Sequence, residues 1–295
     1  MKKIKEKLLK KWSESILTEE DFKRLSQVPI HPNSAGIDPW GLDLETVKPT
    51  LAAMKWLYTH YFRVSTTGIE NVPQGRVLLI ANHSGQLPID GILLGLSLLL
   101  EGHPPRIARS MVERWVPSIP FISELFTRIG QVIGDPKVCQ DLLKNEEAVL
   151  VFPEGLRGIG KSYFEKYQLK RFGTGFVRLA LETQTPIVPV GLIGCEEAYP
   201  AIYKLEKIGK WINAPYIPIT PFFPFLGPLG LLPLPTKVTI RFGQPLYFKG
   251  DADMNDQEVD KRVEQVRRAI QKELEIGLKH REDHIFTKAA KEENQ

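Results

Sequence analysis

Two kinds of apolar patterning alternate along the chain. Val77-Leu78-Leu79-Ile80 and Val149-Leu150-Val151-Phe152 are near-continuous apolar runs of strand length, the pattern of strands buried on both faces in a parallel or mixed sheet. They predict strands over residues 76–81 and 148–152, and further strands read over 187–192 and 237–242. Helices are predicted near 91–100 and 174–183, so strands and helices alternate as in α/β architectures. A last helix is predicted over 255–278, where Val259, Val263, Val266, Ile270 and Leu274 form one stripe.

The N-terminal part reads differently. Residues 1–28 predict a basic amphipathic helix, with Ile4, Leu8, Trp12 and Ile16 at four-residue spacing and six lysines among the first eleven residues. A second helix is predicted after Pro49, with Leu51, Met54, Leu57 and Tyr61 on one face, before the chain extends around Phe62-Arg63-Val64. The expected organisation is a helical, membrane-associating region over 1–61, an α/β domain over 62–250, and a C-terminal helix with a polar, frayed tail over 251–295. No internal repeat is visible.

Composition narrows the function. A formal charge of +4, from 39 Lys+Arg against 35 Asp+Glu, lacks the basic excess of a nucleic-acid binder. The two cysteines, Cys139 and Cys195, form neither a disulfide framework nor a metal-type cluster, so a reducing compartment and no metal are expected. The lysine-rich start lacks the apolar core of a signal peptide. Residues 211–236 carry no charge and are long enough to span a bilayer, but seven prolines forbid an ordinary transmembrane helix.

Candidate chemistry sits after the buried strands, where open α/β folds place ligands. The first cluster is Asn82-His83-Ser84-Gly85-Gln86-Leu87-Pro88-Ile89-Asp90. His83 is the expected general base and Asp90 the nearest carboxylate to fix its tautomer, the bland alternative being a histidine that caps a loop. The second is Phe152-Pro153-Glu154-Gly155-Leu156-Arg157-Gly158, in which a glycine admits close backbone approach and an arginine offers a planar fork to phosphate oxygens. Its bland alternative is a surface turn with a solvated arginine. His31, His60, His103, His280 and His284 have no metal-ligand spacing, and no G-x-S-x-G elbow occurs.

These residues resemble the glycerolipid acyltransferases related to bacterial lysophosphatidate acyltransferase. The resemblance runs over about 62–248 and rests on the Asn82-His83 pair with Asp90, on Phe152-Pro153-Glu154-Gly155-Leu156-Arg157, and on Pro186-Ile187-Val188-Pro189-Val190-Gly191. It implies a mostly parallel, mixed sheet flanked by helices with an N-terminal helical region, as in glycerol-3-phosphate acyltransferases. It also implies direct attack of an acceptor hydroxyl, deprotonated by His83, on an acyl thioester, with neither cofactor, metal nor acyl-enzyme. Glu154, Gly155, Arg157, Lys161 and Pro189 are then expected at the substrate, with Lys170 and Arg171 as further phosphate candidates.

The chain departs from the family pattern twice. Six residues separate His83 from Asp90 instead of four, and Pro88 occupies the usual aspartate position. The second block matches Gly130-Gln131-Val132-Ile133-Gly134-Asp135, with no arginine at its end. Both changes resemble the monoacylglycerol and diacylglycerol acyltransferase-like branch and open the acceptor to less charged lipids.

A rival reading overlaps the second block, because residues 155–162 satisfy the phosphate-loop pattern G-x-x-x-x-G-K-[ST] after a buried strand. That reading requires a helix opening at Lys161-Ser162. A third reading is a non-catalytic lipid-binding protein. The expected partners are a membrane surface, acyl-CoA or acyl carrier protein, and a lipid acceptor, with no nucleic acid, on the cytoplasmic face of a membrane. The uncharged proline-rich stretch is expected either to insert as an apolar loop or to cover the site.

Overall fold

The computed structural model describes residues 12–84, 88–112, 122–206, 209 and 216–281. Its centre is a seven-stranded sheet. In chain order the strands are β1 (Ser65–Thr67), β2 (Val77–Ala81), β3 (Arg109–Val112), β4 (Val132–Ile133), β5 (Ala148–Val151), β6 (Ile187–Ile193), and, after a separate hairpin of β7 (Tyr203–Leu205) and β8 (Ile217–Ile219), β9 (Thr239–Phe242). Their spatial order is β1-β9-β6-β2-β5-β3-β4, parallel at every pairing except β6 with β9.

Every residue of β2 and β6 is buried, as their unbroken apolar runs require. Alternate side chains of β2 feed two cores: Val77, Leu79 and Ala81 on one face, Leu78 and Ile80 on the other. Each fully buried Leu, Ile or Val contributes roughly 1.5–3 kcal/mol of transfer free energy, so β2 anchors the edge from which the candidate site grows.

Helices cover both faces. On the first lie α1 (Glu19–Ser26), α2 (Leu44–Trp56) and α3 (Ile89–Leu100); on the second, α5 (Pro136–Lys144), α7 (Gly175–Thr183) and α9 (Asp256–Lys279). Shorter helices among the described residues include α4 (Ile122–Arg128) before β4, α6 (Leu156–Ile159) after β5 and α8 (Cys195–Ala198) after β6. The stripe of Val259, Val263, Val266, Ile270 and Leu274 on α9 is buried. A Cβ on Gly191 of β6 would stand 3.0 Å from that of Glu273, so a glycine there admits the close approach of α9.

Several expectations are corrected. The helix expected over 1–28 breaks at Leu17-Thr18, because Thr18 and Asp21 form a capping box that starts α1 afresh. The basic residues Lys2 to Lys11 lie outside the described residues, as do Gly85, Gln86, Leu87 and the C-terminal tail. Helix α2 begins before Pro49, with Asp43 capping Glu45 N–H. Leu17, Leu25, Val47 and Leu51 join the first core, so the described N-terminal helices pack into that core, α1 against α3 and α2 against α4. Sequence patterning also missed β3, β4 and α4, which are short, and α5, which is defined by its Asp135 cap and Pro136.

Candidate active site

Three adjacent parallel strands, β6, β2 and β5, deliver their C-terminal ends to one edge of the sheet. Each end carries a functional group: Glu196 after β6, His83 after β2 and Glu154 after β5. Asn82 fixes the chain just before His83. Its side-chain amide donates to Leu192 O (3.0 Å) and its oxygen accepts from Leu192 N (2.7 Å), continuing the β2–β6 pairing by one residue.

The His83 Nδ1 stands 2.6 Å from Asp90 Oδ2. Asp90 lies in the first turn of α3 and is held by three other donors. Ser84 N–H (2.9 Å) and, more distantly, Ser84 Oγ (3.5 Å) reach Oδ2, while Gly91 N–H (2.8 Å) reaches Oδ1. A carboxylate so held accepts Nδ1–H and leaves Nε2 as the imidazole's basic nitrogen. No described residue bonds Nε2. The His83 ring is stacked on Phe152, with centroids 4.3 Å apart and planes at 19°, and its side chain is 13% exposed. Rotation is restricted, yet one edge of the ring meets solvent.

The second cluster packs against the first. Gly155 takes a positive φ of 55°, a conformation that favours glycine, and the chain then turns into α6. A Cβ on Gly158 would lie 2.8 Å from the Cβ atoms of both His83 and Glu154, so this glycine sets how closely α6 approaches the histidine. Arg157 is exposed on α6 and has no ion-pair partner among the described residues.

Glu154 and Lys161 are placed otherwise than a direct substrate contact requires. The Glu154 carboxylate is buried and accepts from His83 N–H (2.9 Å) and Lys170 N–H (2.8 Å). Lys161 Nζ lies 3.0 Å from Glu154 Oε2 and 3.1 Å from Glu196 Oε1, with the lysine side chain 4% exposed. Burial pushes the Glu196 carboxyl above the usual carboxylate range, with the neighbouring Lys161 ammonium opposing that rise. Pro189 sits in mid-β6, paired with Ile80 and buried beneath the α9 face, three residues back from the functional edge. Lys170 pairs with Glu165, and Arg171 is exposed.

Glu196 was missed by the sequence reading. Applying to β6 the strand-end argument used for β2 and β5 points to Glu196-Glu197, two acids that follow a buried strand after Gly194 and Cys195. Phe152 and Gly158 were seen only as parts of a motif, since a ring stack and a close approach are not legible in spacing.

The phosphate-loop reading is contradicted. No helix opens at Lys161-Ser162: α6 ends at Ile159, Ser162 forms a capping box with Glu165 for a single 3-10 turn, and the lysine is enclosed by carboxylates. Among the described residues no group of three or more His, Cys, Asp or Glu is placed to hold a metal ion.

An acid-oriented histidine beside a glycine-arginine block, on a mostly parallel sheet, is the arrangement that the sequence resemblance implies. Residues 63–193 match the Acyltransferase family. An uncharacterized protein of Mycobacterium tuberculosis is 37% identical over 260 residues, spanning 85% of this chain and 72% of its own. The probable 1-acyl-sn-glycerol-3-phosphate acyltransferase of Mycoplasma pneumoniae is 29% identical over 160 residues, or 52% of this chain and 57% of its own. In fold, the chain is similar to the crystal structure of PlsC, the 1-acyl-sn-glycerophosphate (LPA) acyltransferase from Thermotoga maritima. The TM-score is 0.52 at 18% identity, over 96% of this chain and all of that one. The chain belongs to the lysophosphatidate acyltransferase-like family, and the protein is an acyltransferase.

Proposed function

We propose that the enzyme transfers a fatty acyl group from the thioester of acyl-CoA or acyl carrier protein to a free hydroxyl of a glycerolipid, with His83 as general base and without a cofactor. The observation that carries this reading is the Nδ1 contact with Asp90, which leaves Nε2 uncommitted at the edge of the site. Nε2 takes the acceptor's hydroxyl proton as its oxygen attacks the thioester carbonyl. The carbon–sulfur bond breaks, and the imidazolium returns the proton to the departing thiolate, giving an ester and a free thiol. Asp90 stabilises the imidazolium in between.

Arg157, exposed on α6 and unpaired among the described residues, suits a phosphorylated acceptor such as lysophosphatidate. Mono- and diacylglycerols are the neutral candidates. The enzyme works from the cytoplasmic face as a peripheral membrane protein. No helix among the described residues is long and apolar enough to cross a bilayer. The uncharged loop after β8 instead presents Phe225 at 87% and Leu229 at 69% exposure. It adjoins the catalytic edge, because Leu234 N–H donates to Ala198 O (2.8 Å) and Thr236 Oγ1 to Gly194 O (2.9 Å).

Thiol release by the purified enzyme, given acyl-CoA or acyl carrier protein and a panel of lysophosphatidate, monoacylglycerol, diacylglycerol and a long-chain alcohol, tests the reading. His83→Ala is expected to lower turnover about 10²- to 10⁴-fold; unchanged turnover removes the histidine base. Arg157→Ala is expected to weaken use of phosphorylated acceptors at least about tenfold while sparing neutral ones. Equal losses on both acceptor classes contradict a phosphate role.

A further inference from the structure

Two buried charged side chains close a ring around the main chain of His83, and a third anchors it. Glu154 Oε1 accepts from His83 N–H at 2.9 Å, and Lys161 Nζ donates to His83 O at 3.3 Å. The same ammonium bridges Glu154 (3.0 Å) to Glu196 Oε1 (3.1 Å), and Glu196 Oε2 accepts Tyr167 N–H at 2.5 Å. Thus both sides of the one residue whose ring must be aimed are tied to Glu154 and Lys161, both from the segment after β5, and through Lys161 to Glu196 after β6.

We propose that Lys161 and Glu196 are positioning residues for His83. Acting with Glu154, they clamp its peptide so that the imidazole is fixed relative to Arg157, rather than contacting a substrate phosphate. The inference rests on His83 being the base. Three features support it. The ammonium has its acceptors inside the protein and is almost fully enclosed, so a phosphate would have to displace a carboxylate to reach it. Lys161 follows α6 directly and therefore ties the segment bearing Arg157 to the histidine. Two buried carboxylates and one buried ammonium also form a costly set that apolar residues of similar volume could replace with little loss of stability. The geometry these charges impose on His83 is a role that apolar replacements would not fill.

The charges give the clamp a signature that packing alone lacks. The groups facing Lys161 are Glu154 after β5, Glu196 on α8 and the His83 carbonyl after β2; Asp90 lies on the other side of His83, and Cys195 is buried next to Glu196. The three-residue cluster carries a net charge of −1 when all its members are ionised. Lys161→Met makes it −2, Glu196→Gln makes it 0, and the double variant restores −1. A more negative cluster beside the imidazole favours its protonated, inactive form, so the acid limb of the rate profile moves to higher pH; a more neutral one moves it lower.

The test measures kcat, acceptor KM and their pH profiles for the two single variants and the double variant, with folding checked by thermal melts. For Lys161→Met, kcat is expected to fall on the order of 10²-fold, with KM within about threefold and the acid limb moved up. Glu196→Gln, which keeps an oxygen acceptor for Lys161 and is the safer variant to fold, is expected to move the limb down. In the double variant the limb returns while kcat stays low, because the contact to His83 O is still missing. A rise in KM with unchanged kcat assigns Lys161 to the substrate and overturns the proposal. So do pH profiles of both single variants that superpose on the parent's, or kcat losses that merely follow the folded fraction. If His83→Ala alone keeps full activity, the underlying base reading fails, an outcome distinct from all of these.

Discussion

Six residues separate His83 from Asp90 in the chain, yet His83 Nδ1 and Asp90 Oδ2 lie 2.6 Å apart. Asp90 comes from the first turn of α3, and the Ser84 and Gly91 amides aim its carboxylate back at the ring. Asp90→Asn should keep this shape but lose the charge that favours Nδ1–H and the imidazolium. A fall in kcat on the order of 10²-fold or more is expected, with acceptor KM nearly unchanged. Steady-state kinetics on a variant with a parental melting curve check it.

Gly158→Ala places a methyl 2.8 Å from two Cβ atoms, neither of which can rotate away. Overpacking of this kind costs about 1–3 kcal/mol, and the displaced neighbour is the histidine itself. Both melting temperature and kcat are expected to drop. A fully active Gly158→Ala enzyme would show that α6 can retreat without moving His83.

The exposed apolar loop predicts a partition effect. Phe225→Asp and Leu229→Asp each remove a large side chain from the proposed membrane contact, where burial contributes about 1.5–3 kcal/mol. Vesicle co-sedimentation should weaken by about tenfold or more for each, whereas equal binding of parent and variants argues that the loop faces elsewhere.

Glu165 predicts a pH-dependent stability term. Its hydrogen bond with Lys170 and those from Ser162 hold its carboxyl at about 2, against an ordinary 4.5. The folded-state value is depressed, so the contribution is fully present above about 4.5 and disappears as pH falls toward 2. The side chain is well exposed, and solvent screening limits the effect to less than about 1 kcal/mol. Chemical denaturation of Glu165→Gln should therefore show a small deficit at pH 7 that shrinks near pH 3. A deficit that stays constant with pH would assign it to packing.

Much of this architecture was legible along the chain. Apolar runs located β2, β5 and β6 because a strand buried on both faces has no polar positions to alternate with. The valine-isoleucine stripe gave α9 nearly to the residue, since a long helix repeats its signal over many turns. Short elements such as β4, with two residues, carry too little periodicity to be read. The break before α1 depended on a capping box overriding an otherwise continuous pattern.

Within the site, residue types and order determined that His83 and Glu154 follow strand ends, with Asp90 and Arg157 in the segments just beyond them, and that the chemistry is that of an acyltransferase. Tertiary structure decided who touches whom. The six-residue spacing departs from the family pattern, and the path of the loop into α3 is what brings Asp90 to His83. Lys161 reads as a solvated cation or a phosphate ligand, but the segment after β6 supplies Glu196 from 35 residues further on and encloses it. Local pattern fixes which groups reach an edge of the sheet; strand order and burial fix their partners, because those contacts join residues that no periodicity connects.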